Sequence, residues 1–173
     1  MSSSLYDISV SNYLQILGST IAVLEKGAQQ AADNKLDLDA LLEYRLRPDM
    51  SPFPFQVISV MHHSRGAIEG IINGVFKPPP SLPGLDYAAL QQLLIDARSE
   101  LASATREDID ALQGKHMKFK VGDFEIPFTA ENFVLSFSLP NFYFHATTIY
   151  DMLRILGVPL GKMDFLGEMR SGG

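Results

Sequence analysis

The chain of 173 residues is about one domain long, and its 46% hydrophobic and 20% charged content is that of an ordinary globular protein. A formal charge of −6 with no basic run disfavours a nucleic-acid partner, and the absence of cysteine excludes disulfides, thiolate metal ligands and a thiol nucleophile. No apolar run approaches the ~20 residues of a bilayer span, and residues 1–7 lack the basic and apolar regions of a secretory signal, so a cytoplasmic location away from membranes is expected.

A first helix is predicted from Leu5 to about Ala32, because Leu14, Leu17, Ile21 and Leu24 recur on one face. Asp33 and Asn34 stop it, and Asp37 or Asp39 caps a short helix over Leu41, Leu42 and Tyr44. Prolines 48 and 52 break the chain. A second helix runs from Phe53 or Phe55 to Phe76, with Val57, Met61, Ile68, Ile72 and Val75 as its apolar stripe. Lys77 to Gly84, rich in proline, is a stiff connector. Asp86 then caps a third helix reaching Leu112, with Leu90, Leu93, Leu94, Ala97, Leu101 and Ala104 buried.

The period changes at Lys115. Met117, Phe119 and Val121 alternate with polar residues, Gly122 and Asp123 turn the chain, and alternation resumes at Phe124, which predicts a β-hairpin. Thr129 or Asn132 starts a fourth helical region in which Pro140 forces a kink or restart; Gly157 ends it and Pro159 prevents continuation. The fold class is therefore mainly α: a four-helix bundle with a small β-hairpin between helices 3 and 4. One domain is expected over 1–167, followed by a flexible tail, 168–173.

His145 is the central candidate. Asn141 lies one turn before it and Thr148 one turn after it, so the three share a helical face and form a polar strip. Histidine suits proton transfer because its ordinary pKa lies near neutrality. His62 and His63 are consecutive, hence ~100° apart on a helix, and both cannot face one point; which one turns inward is left open. Tyr13, Tyr143, Tyr150 and Phe142 are candidate walls of a small-molecule pocket. Arg154 and Asp151 read as an ion pair. The glycines at 161 and 167 lack the strand and the Lys-Ser/Thr of a phosphate loop, so their segment reads as a docking piece. Ser64 has no nucleophile elbow around it.

Arg45 to Met50, Gln56 with Val57, Pro140 to Thr148, and Gly157 to Gly167 together resemble the uncharacterised domain of unknown function 1993 family, placed among DinB/YfiT-like four-helix proteins. The resemblance runs over nearly the whole chain and implies a DinB-like bundle. Many superfamily members look like metalloenzymes in which one histidine of the second helix and two of the fourth hold a divalent metal; some transfer thiol cofactors or isomerise small molecules. Alignment on Leu153, Arg154 and Gly157 puts His145 at the second of the fourth-helix histidines and Asn141 at the first, with His62 or His63 as the remaining ligand. Asn141 offers only a neutral amide oxygen, a poor ligand for zinc.

Two functions follow. One is an enzyme acting on a small metabolite in a cavity around His145 by isomerisation, addition–elimination or transfer. His145 is then catalytic, and Asn141, Tyr143, Thr148 and Tyr13 contact substrate. The cofactor is either a divalent metal (zinc or nickel) held by His145, His62 or His63 and Asn141, or none. The other is a non-catalytic small-molecule-binding or homodimeric interaction protein that has lost the metal site. A homodimer is expected in either case.

Overall fold

The computed structural model describes residues 4–171. Its elements in order are α1 (Leu5–Ile8), α2 (Val10–Ala32), α3 (Leu38–Glu43), α4 (Phe53–His62), α5 (Arg65–Asn73), β1 (Val75–Phe76), α6 (Tyr87–Ser103), α7 (Arg106–Asp110), β2 (His116–Val121), β3 (Phe124–Thr129), α8 (Ala130–Phe133), a π-helical turn (Val134–Ser138), α9 (Leu139–Ile155) and α10 (Lys162–Leu166). The four long rods α2, α4, α6 and α9 form a closed ring of neighbours: α2 packs on α6 and α9, and α4 on α6 and α9. Between them lies one continuous core, including Tyr13, Leu17, Leu24, Phe53, Leu90, Leu94, Phe142 and Ile149, all fully buried. The bundle and the β2–β3 hairpin match the sequence expectation.

Each long predicted helix is interrupted, and each interruption has a local cause. Ser9 bonds its hydroxyl back to the Leu5 carbonyl and leaves helical geometry, dividing α1 from α2. Ala104 turns extended and Thr105 accepts from the Asp108 N–H, so a fresh N-cap competes with continuation and the third helix ends at Ser103. Pro140 has no N–H to give the preceding turn. The helix absorbs this as a π-turn in which the Leu139 N–H reaches the Val134 carbonyl, and Pro140 falls in the first turn of α9. The open alternatives resolve as Asp37 capping α3, Phe53 opening α4, and Thr129 capping α8.

The second predicted helix differs most. It breaks at His63–Ser64, where the Ser64 hydroxyl bonds back to the Val60 and Met61 carbonyls. It ends at Gly74, whose φ of 75° lies in the left-handed region open to glycine. Val75 is therefore not part of a helical stripe. With Phe76 it forms β1, which pairs in parallel with β2 (Val75 opposite Lys118, Phe76 opposite Phe119) and turns the expected hairpin into a three-stranded sheet, β1-β2-β3.

The reversal folds the Phe76 ring back against α5, beside His62 and His63. Gly70 makes this possible: a Cβ there would lie 2.9 Å from Phe76 Cδ2 and 3.4 Å from its Cα. Gly70→Ala is expected to destabilise the fold by about 1–3 kcal/mol through overpacking, although alanine is ordinarily the better helix former. Denaturant titration checks the sign.

The C-terminal segment lies along α2. Gln15 donates to the Leu166 carbonyl (2.9 Å), Lys26 pairs with Asp164 (2.7 Å), and Arg170 reaches Asn12 Oδ1 (2.6 Å). The last residues of the expected tail, 172 and 173, fall outside the described residues. Among the described residues no helix is long and apolar enough to cross a membrane.

Candidate functional site

The break between α4 and α5 builds the site. Leaving the helix, the His63 carbonyl finds its partner across the bundle: Ser138 Oγ donates to it at 2.7 Å. The Ser138 hydroxyl hydrogen is thereby spent, so Tyr13 is the donor in the 2.7 Å bond between the two hydroxyls. The chain Tyr13–Ser138–His63 is wholly buried and ties α2, the π-turn and the helix break together. Burial raises the Tyr13 pKa above the usual phenol value, keeping that proton in place.

With its backbone fixed, His63 places its ring 6.0 Å from the ring of His145 on α9, the two planes inclined by 16°. Gln56, two turns before His63 on α4, orients His145. Its Nε2 donates to the Ser51 carbonyl (2.9 Å), which leaves Oε1 as acceptor toward His145 Nδ1 at 2.7 Å. Nδ1 therefore carries the proton, and the Nε2 lone pair is free. His145 Nε2 has no protein partner and is not among the fully buried unpartnered atoms, so it meets solvent. Phe55 and Phe144 stand edge-on to the imidazole, 5.8 and 5.2 Å away between centroids.

Electrostatically the cluster is neutral. Burial pushes the His145 pKa down to about 4, and burial together with the His62 and His145 rings pushes His63 down to about 3. His62 is also lowered by burial, despite donating Nε2–H to the Lys77 carbonyl at 2.7 Å. At neutral pH the histidines of this cluster are uncharged imidazoles.

The candidates read from the sequence separate accordingly. His145 and His63 come together. His62 stacks on Phe76 (4.3 Å between centroids) and turns its Nε2 to the connector. Asn141 gives its amide to the Phe137 carbonyl and Thr148 its hydroxyl to the Phe144 carbonyl, each one turn back along the same helix. Tyr13 is buried behind Ser138, and Tyr143 is 36% exposed beside Phe142. His116 is exposed on β2. Two concavities lie elsewhere: a groove of about 1240 Å³ between α2, α6 and the C-terminal segment, and a hollow of about 200 Å³ beside Tyr44 and Leu156. His145 lines neither and sits half-buried between α4 and α9.

Two residues of the site, Gln56 and Ser138, lie outside the candidates that the sequence offers. Gln56 carried a signal, a polar residue 2% exposed within the apolar run of α4. Ser138 carried none, because its partners lie 125 and 75 residues away.

The donor set does not suit a divalent metal. Among the described residues no group of three or more His, Asp or Glu side chains is arranged so that it could hold a metal ion. His62 Nε2 carries its proton toward Lys77 and Asn141 supplies only a neutral amide, which leaves His145, through its free Nε2, and His63 as the remaining nitrogen donors. Two imidazoles without an anionic or third nitrogen ligand fall short of what zinc requires. Protein purified without a histidine tag is expected to hold less than stoichiometric zinc or nickel, as measured by elemental mass spectrometry.

The four-helix ring is a DinB-like fold. It aligns with the crystal structure of a DinB family member from Shewanella denitrificans at a TM-score of 0.80 and 25% identity, covering 98% of this chain and 95% of that one. The chain belongs to the family described as domain of unknown function 1993 (DUF1993), whose model matches residues 5–166. Among curated proteins none matches it.

Proposed function

We propose that the protein is a metal-independent enzyme of proton transfer, acting on a small metabolite that docks at His145 between Phe55 and Phe144. The observation that carries this reading is the Ser51–Gln56–His145 clamp, which fixes one tautomer and aims an unpartnered Nε2 lone pair outward. Nε2 takes a proton from the bound molecule, and the imidazolium so formed is stabilised by the Gln56 amide oxygen at Nδ1–H. Burial makes that imidazolium more acidic than a free one, so the proton is readily returned to another atom of the same molecule. Isomerisation and addition–elimination require such a sequence, and no net proton is consumed.

A second reading, a non-catalytic binding protein, is favoured by Asn141 and Thr148. Their polar groups are committed to their own helix, leaving His145 without a second acid or base from either. Pairing of two copies is supported by the outer face of α9, where Phe144 and Ile155 are 57% and 64% exposed; light scattering on the eluted species decides it.

The test is a metabolite-library screen by thermal shift, followed by proton NMR in deuterated water of each stabilising compound with wild type, His145→Gln and Gln56→Leu. Solvent deuterium appearing in the compound with wild type and lost in both variants supports the enzyme. Stabilisation by a compound that the wild type leaves unexchanged and chemically unchanged rejects catalysis in favour of the binding protein.

A further inference from the structure

We infer that the site takes an uncharged molecule, one that offers an O–H or N–H to His145 and an apolar body to Phe55 and Phe144, its polar end bridged inward to Ser59 and His63. This rests on the reading of His145 as the docking point and adds the class of ligand.

Two independent observations support it. The first is that, among the described residues, the aromatic and hydrogen-bonding neighbours of the His145 and His63 rings carry no formal charge. His145 is surrounded by Gln56, Phe55, Phe144 and His63, and His63 by His62, Phe76, Phe137 and His145, all uncharged as placed. The nearest cation along the chain, Arg65, is turned to Glu69 and Glu100, and Lys77 contributes its backbone carbonyl. Burial is the sole influence on His145, and the only charges acting on His63 would be those of its neighbouring imidazoles. A carboxylate or ammonium entering here would lose water and gain no counter-ion, which disfavours it against a neutral group of the same shape.

The second observation is a pair of unpartnered polar atoms. Ser59 Oγ and His63 Nδ1 are both buried without a hydrogen bond, in side chains 0% and 5% exposed. They are spaced i, i+4 at the end of α4, on the face that also carries Gln56. Buried polar atoms are ordinarily satisfied by protein or by water. Two orphans side by side on the face that bears the His145 clamp mark a place for a polar group that comes from outside the chain, a ligand head or a water it holds.

The experiment uses a matched series, benzyl alcohol, benzoate and benzylammonium, titrated at pH 7 into full-length protein labelled with ¹⁵N-histidine. Benzyl alcohol is expected to shift the His145 and His63 ring resonances, with benzoate and benzylammonium about tenfold weaker. Ser59→Ala, whose fold loses no hydrogen bond, is expected to weaken benzyl alcohol several-fold. Equal or tighter binding of benzoate or benzylammonium at His145 overturns the uncharged-ligand inference and leaves the docking point standing. Unchanged affinity in Ser59→Ala removes the inner contact. No movement of His145 with any of the three overturns the docking point and the inference together.

Discussion

Ser138→Ala is expected to cost the fold about 3–5 kcal/mol. The hydroxyl donates to the His63 carbonyl and accepts from Tyr13, both at 2.7 Å, and all three groups are sealed from water. Its removal abolishes two hydrogen bonds worth about 1 kcal/mol each and strands a buried phenol, with a further desolvation cost of about 1–3 kcal/mol. Tyr13→Phe in the same background removes the stranded donor, so the double variant should recover about 1 kcal/mol relative to Ser138→Ala. Urea denaturation of the four proteins of the cycle measures this directly. Losses that simply add would show that the two hydroxyls are not coupled.

The second large effect is on acid stability. Well above pH 6.5 the rings of His62, His63 and His145 are neutral in folded and unfolded chains alike, and they add no pH dependence. Below 6.5 the unfolded chain takes up protons that the folded cluster refuses until about pH 3 at His63 and about pH 4 at His145. Stability therefore falls with falling pH across that window, by about 1.4 kcal/mol per pH unit for each refusing ring. For His63 alone the full window amounts to on the order of 5 kcal/mol; His145, with part of its ring in water, contributes less. The carboxylates with shifted pKa values, Asp7, Glu125 and Asp164, are lowered from ordinary values near 4. The interval from pH 6.5 down to about 5 thus reports the histidines.

His63→Phe should flatten much of that slope. It should also gain about 1 kcal/mol at pH 7, since the ring lies among Phe76, Phe137, His62 and His145 and its Nδ1 has no partner. Urea melts at pH 7, 6 and 5 on wild type and variant decide the matter. Equal slopes in the two would mean that His63 is not held neutral.

The bundle was legible because its information is local and repeated. Leu14, Leu17 and Leu24 mark the buried face of one rod, Leu90, Leu94, Ala97 and Leu101 that of another, and Asp37, Asp86 and Thr129 cap helices as expected. The alternation of Met117 with Phe119 was enough for the hairpin, but not for β1, whose two residues have no period of their own and pair only because Gly74 reverses the chain. The break at Ser64 was equally silent: serine tolerates a helix interior and leaves it only when its neighbours find better partners, here a serine 74 positions further on, Ser138. His145 stood out by its place on a polar strip. The strip itself dissolved, since Asn141 and Thr148 answer their own backbone, while the residue that orients His145 came from another helix. Side-chain partners across a bundle are a property of packing, and no spacing along one helix contains them.

Everything proposed for the site turns on one proton. A long-range ¹H–¹⁵N correlation spectrum of the imidazoles at pH 7 shows which nitrogen of each ring carries it. The account predicts for His145 a protonated Nδ1 and a lone-pair Nε2, with the ring staying neutral down to about pH 4. A His145 protonated on Nε2 alone, or one titrating near 6.5 like a free imidazole, would contradict it.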